Sequence, residues 1–185
     1  MLFGRGGMAR RMVQMADLSV ADVVVDVGCG PGSAVRRARR GGAARVVGID
    51  PSERMLRLAR RVTSLQRVTG SSFVEGAAEH LPVDTGSASV VWAIQSVHHW
   101  EDLGLGLHEV RRVLGPAGRV LLMERFVVPG ARGLAAHGLT EQHAAELGAQ
   151  LARVGFAEVS NRTVRVGRRT FVVITATAGS PPPAV

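Results

Sequence analysis

The sequence predicts an α/β fold. One open sheet of seven strands forms the middle of a three-layer sandwich, mostly parallel and closed by a C-terminal antiparallel hairpin. Three observations predict it. Short β-branched runs alternate with segments of helical period, the signature of βαβ units. The first run, Val23 to Val27, is the valine-rich kind expected of a central strand buried on both faces. The last two runs, 156–166 and 169–177, are separated only by a turn at Gly167, so they pair antiparallel. With 185 residues, 46% of them hydrophobic, the chain suffices for one domain with a sizeable core, placed at 1–178.

Each element has its own signal. Met8, Met12, Met15 and Leu18 recur at helical spacing behind a Gly- and Arg-rich start, giving a helix or lid over 1–19. After the first strand comes a Gly-rich turn. Ala34, Val35 and Ala38 then form the inner face of a helix, with Arg36, Arg37, Arg39 and Arg40 outside and Gly41-Gly42 at its end. Arg45 to Asp50 is the second strand. Ser52 is the N-cap of the next helix, with Glu53 in its first turn and Met55, Leu58, Ala59, Val62 and Leu65 as its stripe. Residues 71–76 and Ser87 to Ile94 are the third and fourth strands. Leu103, Leu107, Val110 and Leu114 mark a helix stopped by Gly115-Pro116, and Arg119 to Val128 is the fifth strand. Thr140 caps a last helix with Ala144, Leu147, Leu151 and Val154 inside and Gly155 at its end. Residues 179–185 are Pro-rich and expected to be a disordered tail.

Composition narrows the function classes. The net charge of +8 invites a polyanion partner, yet all 23 basic residues are arginine, a pattern that also follows from GC-rich coding. Aromatics are 4% with no tyrosine, so stacking platforms for bases are scarce. No apolar run reaches the roughly 18 residues of a membrane span. The N-terminus lacks the apolar stretch of a leader, and the single Cys29 cannot form an internal disulfide; a cytoplasmic monomer or homodimer is expected. The six histidines lack metal-ligand spacing, so no metal site is expected.

A strand running straight into Gly28-Cys29-Gly30-Pro31-Gly32 allows close ligand approach, because glycines permit positive φ. The following helix offers free N–H groups and a positive dipole end to an anion. Asp50 ends the next strand on the same sheet edge, where a carboxylate accepts from both hydroxyls of a ribose. Three readings stay open at this point. The turn is purely structural, or it holds a dinucleotide, or it holds a ligand bearing both a carboxylate and an amino group, which Asp26 suits. A dinucleotide wants G-x-G-x-x-G, whereas this chain has G-x-G-x-G.

Asp26-Val27-Gly28-Cys29-Gly30-Pro31-Gly32 resembles the first motif of the Rossmann-like, seven-stranded S-adenosylmethionine (SAM)-dependent methyltransferases, and is similar in particular to their type-11 branch. Gly48 to Leu56 resembles the second motif, Gly76 to Pro82 the third, Val91 to Trp100 the fourth, and Glu109 to Gly118 the segment before the fifth strand. The resemblance implies strand order 3-2-1-4-5-7-6, S-adenosyl-L-methionine as cofactor and S-adenosyl-L-homocysteine as product. It implies that Gly28 and Gly30 line the methionine portion, Asp26 holds its amino group, Asp50 binds the ribose, Pro51 lies along the adenine, and Ala78 with Glu79 reads the adenine edge. Cys29, Gly32, Met55, Ala77 and Gln95 complete the expected cofactor set. Two departures stand out: relatives often carry an aspartate in place of Ala77 and Phe-Asp in place of Ala88-Ser89.

The implied reaction moves a methyl group to an O, N or C nucleophile, with a small-molecule acceptor expected. RNA or another macromolecule is the less favoured alternative, and a catalytically silent SAM-binding protein is the other. His98 and His99, after the fourth strand, are candidate bases or cofactor contacts, with His98 the better cofactor-side candidate. Trp100 is expected as a pocket wall. Arg5 and Arg125 are candidate substrate contacts, and Glu124 to Gly138, containing Arg132 and His137, is a candidate cover.

Overall fold

The computed structural model describes residues 3–130 and 138–179, with side chains from Gly6 onward. Seven strands form one sheet: β1 (Val23–Val27), β2 (Arg45–Asp50), β3 (Ser71–Glu75), β4 (Ala88–Ile94), β5 (Leu114–Arg125), β6 (Ala157–Val166) and β7 (Arg169–Thr177). Their order is 3-2-1-4-5-7-6. Strands β1 to β5 pair parallel, while β7 pairs antiparallel with both β5 and β6.

Helices α1 (Phe3–Ala16), α2 (Ser33–Arg40) and α3 (Glu53–Leu65) cover one face, over Met12, Val35, Leu56 and Trp92. Helices α4 (Leu103–Val113) and α5 (Glu141–Arg153) cover the other, over Leu107, Val110, Leu147 and Leu151. The caps follow the sequence. Ser52, Asp102 and Thr140 accept from the N–H groups of Met55, Leu105 and His143.

Four local expectations are corrected. The buried stripe of α3 is Leu56, Ala59 and Thr63, and Leu58 and Leu65 point outward at 46% and 75% exposure. A rotation of about 100° about the helix axis, one residue's worth, separates the two stripes, and Met55 lies at the ligand edge. Arg36 is buried, because its guanidinium donates to Pro31 O (2.7 Å) and Thr63 Oγ1 (3.3 Å). The fifth strand ends at Arg125, beyond which Phe126 forms only an isolated bridge with Leu139. Helix α4 leads directly into β5: Leu114 pairs once with Ala88, and regular pairing resumes at Arg119. Of the tail, only Gly179 lies within the described residues.

The start of the sheet is tied by Asp22. It accepts from Ser19 N–H (2.7 Å), the Ser89 hydroxyl (2.6 Å) and Arg119 (3.0 Å). Burial raises its pKa, but the Ser19, Ser89 and Arg119 bonds outweigh that and lower it to about 2. Ser89 therefore serves the edge opposite the glycine turn.

Candidate functional site

The glycine turn is fixed from three sides. Gly28 and Cys29 donate their N–H groups to Ile49 O (2.8 and 2.9 Å), and Gly30 donates to Asp50 Oδ2 (2.8 Å). These donors are therefore consumed within the protein. The donors left for an anion are in the first turn of α2. Gly32 occupies its N-cap in the left-handed region with no side-chain cap, so the leading N–H groups have no helical partner. Ser33 and Ala34 of that turn line the cavity. Gly28 (φ 73) admits no side chain, because a Cβ would strike Ser96, whose hydroxyl donates to Val27 O (2.7 Å).

Asp50 is held in readiness. Oδ2 accepts from Gly30 N–H and Oδ1 from Ser52 N–H (3.0 Å), which leaves each oxygen a further acceptor site. Asp26 differs. It is buried, and its Oδ2 has no partner among the described residues; the same holds for Trp92 Nε1 beside it in register. Burial pushes the Asp26 pKa up to about 7. The nearby Trp92 indole lowers it in part, and the Asp50 charge raises it further. The thiol of Cys29 is pushed well above its usual range, first by burial and then by the charges of Asp26 and Asp50. It is a packed wall, not a nucleophile.

These groups surround a cavity of about 490 Å³. The size suits a nucleoside joined to an amino acid. Of the expected cofactor set, Asp26, Gly28, Cys29, Gly30, Asp50, Pro51, Met55, Ala77, Ala78, Glu79 and Gln95 line it. Gly32 does not; its Cα faces Phe73 and Arg36. Glu79 also accepts from Asp102 N–H (3.1 Å), which links the cavity floor to α4.

Residues 25–122 match the family described as a methyltransferase domain, over half of the chain. The chain belongs to this methyltransferase family. The chain is 34% identical over 127 residues to 27-O-demethylrifamycin SV methyltransferase of Amycolatopsis mediterranei, covering 68% of this chain and 47% of that one. It is 35% identical over 104 residues to demethylmenaquinone methyltransferase of Chlorobaculum tepidum, covering 56% and 41%. It thus spans just under half the length of these curated relatives. A SAM-dependent methyltransferase from Aquifex aeolicus shares the fold, with a TM-score of 0.78 at 18% identity, covering 92% of this chain and 89% of that one.

At the other end of the cavity His99 and Trp100 line the wall, whereas His98, expected as the cofactor-side residue, does not. His98 Nδ1 instead lies 2.8 Å from Glu124 Oε2. That hydrogen bond raises the His98 pKa, partly offset by burial. Glu124 is fully buried and also accepts from Val97 N–H (2.9 Å) and Gln95 Nε2 (3.0 Å). It clamps the loop after β4, where Gln95 adopts φ 56. Arg125 ends β5 and is not among the lining residues. The Arg5 side chain and residues Arg132 and His137 lie outside the described residues.

Sequence reasoning missed the holding roles of Glu124 and Ser96 and the place of Glu101 in the wall. A lone Glu closing an apolar strand, Leu121-Leu122-Met123-Glu124, was the available signal for the first.

Asp26 makes stability depend on pH. The folded protein keeps the proton up to about pH 7, whereas the unfolded chain loses it near 3.8. This contribution to stability is therefore full below about pH 4 and is lost as pH rises through 7. Asp26→Asn is expected to melt at a higher temperature than wild type at about pH 8 without cofactor. An equal or lower melting temperature in scanning calorimetry would contradict the assignment.

Proposed function

We propose that this chain catalyses SAM-dependent methyl transfer to an O, N or C nucleophile of a small molecule. The single observation that carries the reading is the unpartnered Asp26 oxygen in the wall of a cavity built by the glycine turn and Asp50. A buried carboxyl without a partner is costly, and a ligand ammonium completes it. The uncapped first turn of α2 suits the carboxylate of the same amino acid. Asp50 suits the ribose hydroxyls. Ala77, Ala78 and Glu79 suit the adenine edge, with Ala77 supplying no side-chain acceptor there.

The bound cofactor supplies an electrophilic methyl group on sulfonium sulfur. The protein's own part is alignment and exclusion of water. Gln95, His99 and Trp100 shape the wall nearest the acceptor side. His99, which lines the cavity, is the candidate to take a proton from an O–H or N–H acceptor, while His98 paired with Glu124 holds the loop that carries it. The names of the rifamycin and menaquinone relatives support a small-molecule acceptor.

Two outcomes test this. Asp26→Asn is expected to weaken SAM binding at least about tenfold in calorimetric titration, as loss of a charge-assisted bond requires. Unchanged affinity would contradict the role of Asp26. In transfer assays with labelled SAM and candidate small-molecule acceptors, His99→Ala is expected to keep SAM affinity and lose turnover. Unchanged turnover would exclude it as the base.

A further inference from the structure

Charge is divided unevenly between the two helical layers. Helices α1, α2 and α3 carry eleven arginines and a single acid, Glu53. Helices α4 and α5 carry three arginines and three acids. A coding bias toward arginine acts on both layers alike, so it does not explain the difference. Internal bonding accounts for only part of it, through Arg36, Arg39 and Arg40, which donate to oxygens within the fold. Glu53 meets Arg57 and Arg60, while no ion pair is described for Arg37, Arg54 or Arg61, all exposed. Several arginines stand three or four residues apart, such as Arg57 and Arg61, a spacing at which like charges destabilise a helix. The layer keeps these charges at the expense of its own stability.

The outer face of α3 adds a second feature. Leu58 and Leu65 are 46% and 75% exposed, and the half-exposed Val62 lies between them. This apolar stripe at i, i+4 and i+7 is flanked by Arg54, Arg57 and Arg61. A phosphate backbone has use for the arginines but none for the leucines. An anionic lipid surface uses both: guanidinium groups fork onto headgroup phosphates, and short apolar side chains enter the headgroup boundary.

We infer that the α1–α3 face docks on an anionic lipid bilayer. Two exposed leucines are too few to hold the protein without charge, so attachment is reversible and sensitive to salt. The same helices border the cofactor cavity through Met8, Ser33 and Met55, so docking brings the cavity close to the lipid surface. The inference is independent of the acceptor chemistry proposed above.

Sedimentation of the full chain with vesicles tests it. Phosphatidylcholine vesicles with about 30 mol% phosphatidylglycerol are expected to bind at least about tenfold more protein than pure phosphatidylcholine. The difference should vanish as salt rises from about 0.05 to 0.5 M. Arg57→Glu/Arg61→Glu and Leu58→Ser/Leu65→Ser should each weaken vesicle binding several-fold while leaving the melting transition intact. No preference for anionic vesicles would overturn the proposal. So would a Leu58→Ser/Leu65→Ser variant that binds vesicles as well as wild type. Preferential binding to duplex RNA in competition with the vesicles would assign the face to nucleic acid and overturn it as well.

Discussion

A carboxyl group shut away from water with one oxygen unbonded is the constraint around which this structure is arranged. Asp26 sits in the central strand, between Gly48 of β2 and Trp92 of β4, where no solvent reaches. Such a group survives burial by holding its proton, by gaining a donor, or by meeting a cation. The protein alone offers the first, with the Trp92 indole as a partial donor. Because Asp26 also lines the cavity, the third is open to it there.

The rest of the fold holds that arrangement in place. Parallel strands bring Asp26, Asp50, Gln95 and Glu124 to one edge of the sheet, although 98 residues separate the first from the last. Asp50 grips Gly30, Ile49 grips Gly28 and Cys29, and Ser96 closes over Gly28. Arg36 anchors Pro31 from beneath. On the far side of the cavity, Glu124 does for the loop after β4 what Asp50 does for the glycine turn. Its carboxylate gathers three donors into one rigid corner. These bonds exist before any ligand binds, so little ordering is left to oppose binding.

The sheet was legible because valine-rich runs, glycine stops and caps such as Ser52 and Thr140 are local signals. The donor half of the site was legible because glycine spacing and the strand-end Asp50 carry their chemistry in one short segment each. Side-chain destinations were less so. Arg36 reads as a surface residue until Pro31 O and Thr63 supply partners from elsewhere in the chain. Leu58 reads as core because periodicity fixes the spacing of a stripe but not the rotation of the helix that bears it. His98 turned toward Glu124, 26 residues away, a pairing that only the β4–β5 neighbourhood creates.

We propose that Asp26 is held for the ammonium group of S-adenosyl-L-methionine. Proton linkage measures it directly. SAM binding is followed by calorimetry at about pH 6.5, in buffers of different ionisation enthalpy. If Asp26 is largely protonated when empty and ionised when occupied, wild type releases most of one proton and the observed enthalpy tracks the buffer, while Asp26→Asn shows no such dependence. A wild-type binding enthalpy that is the same in every buffer would contradict the claim.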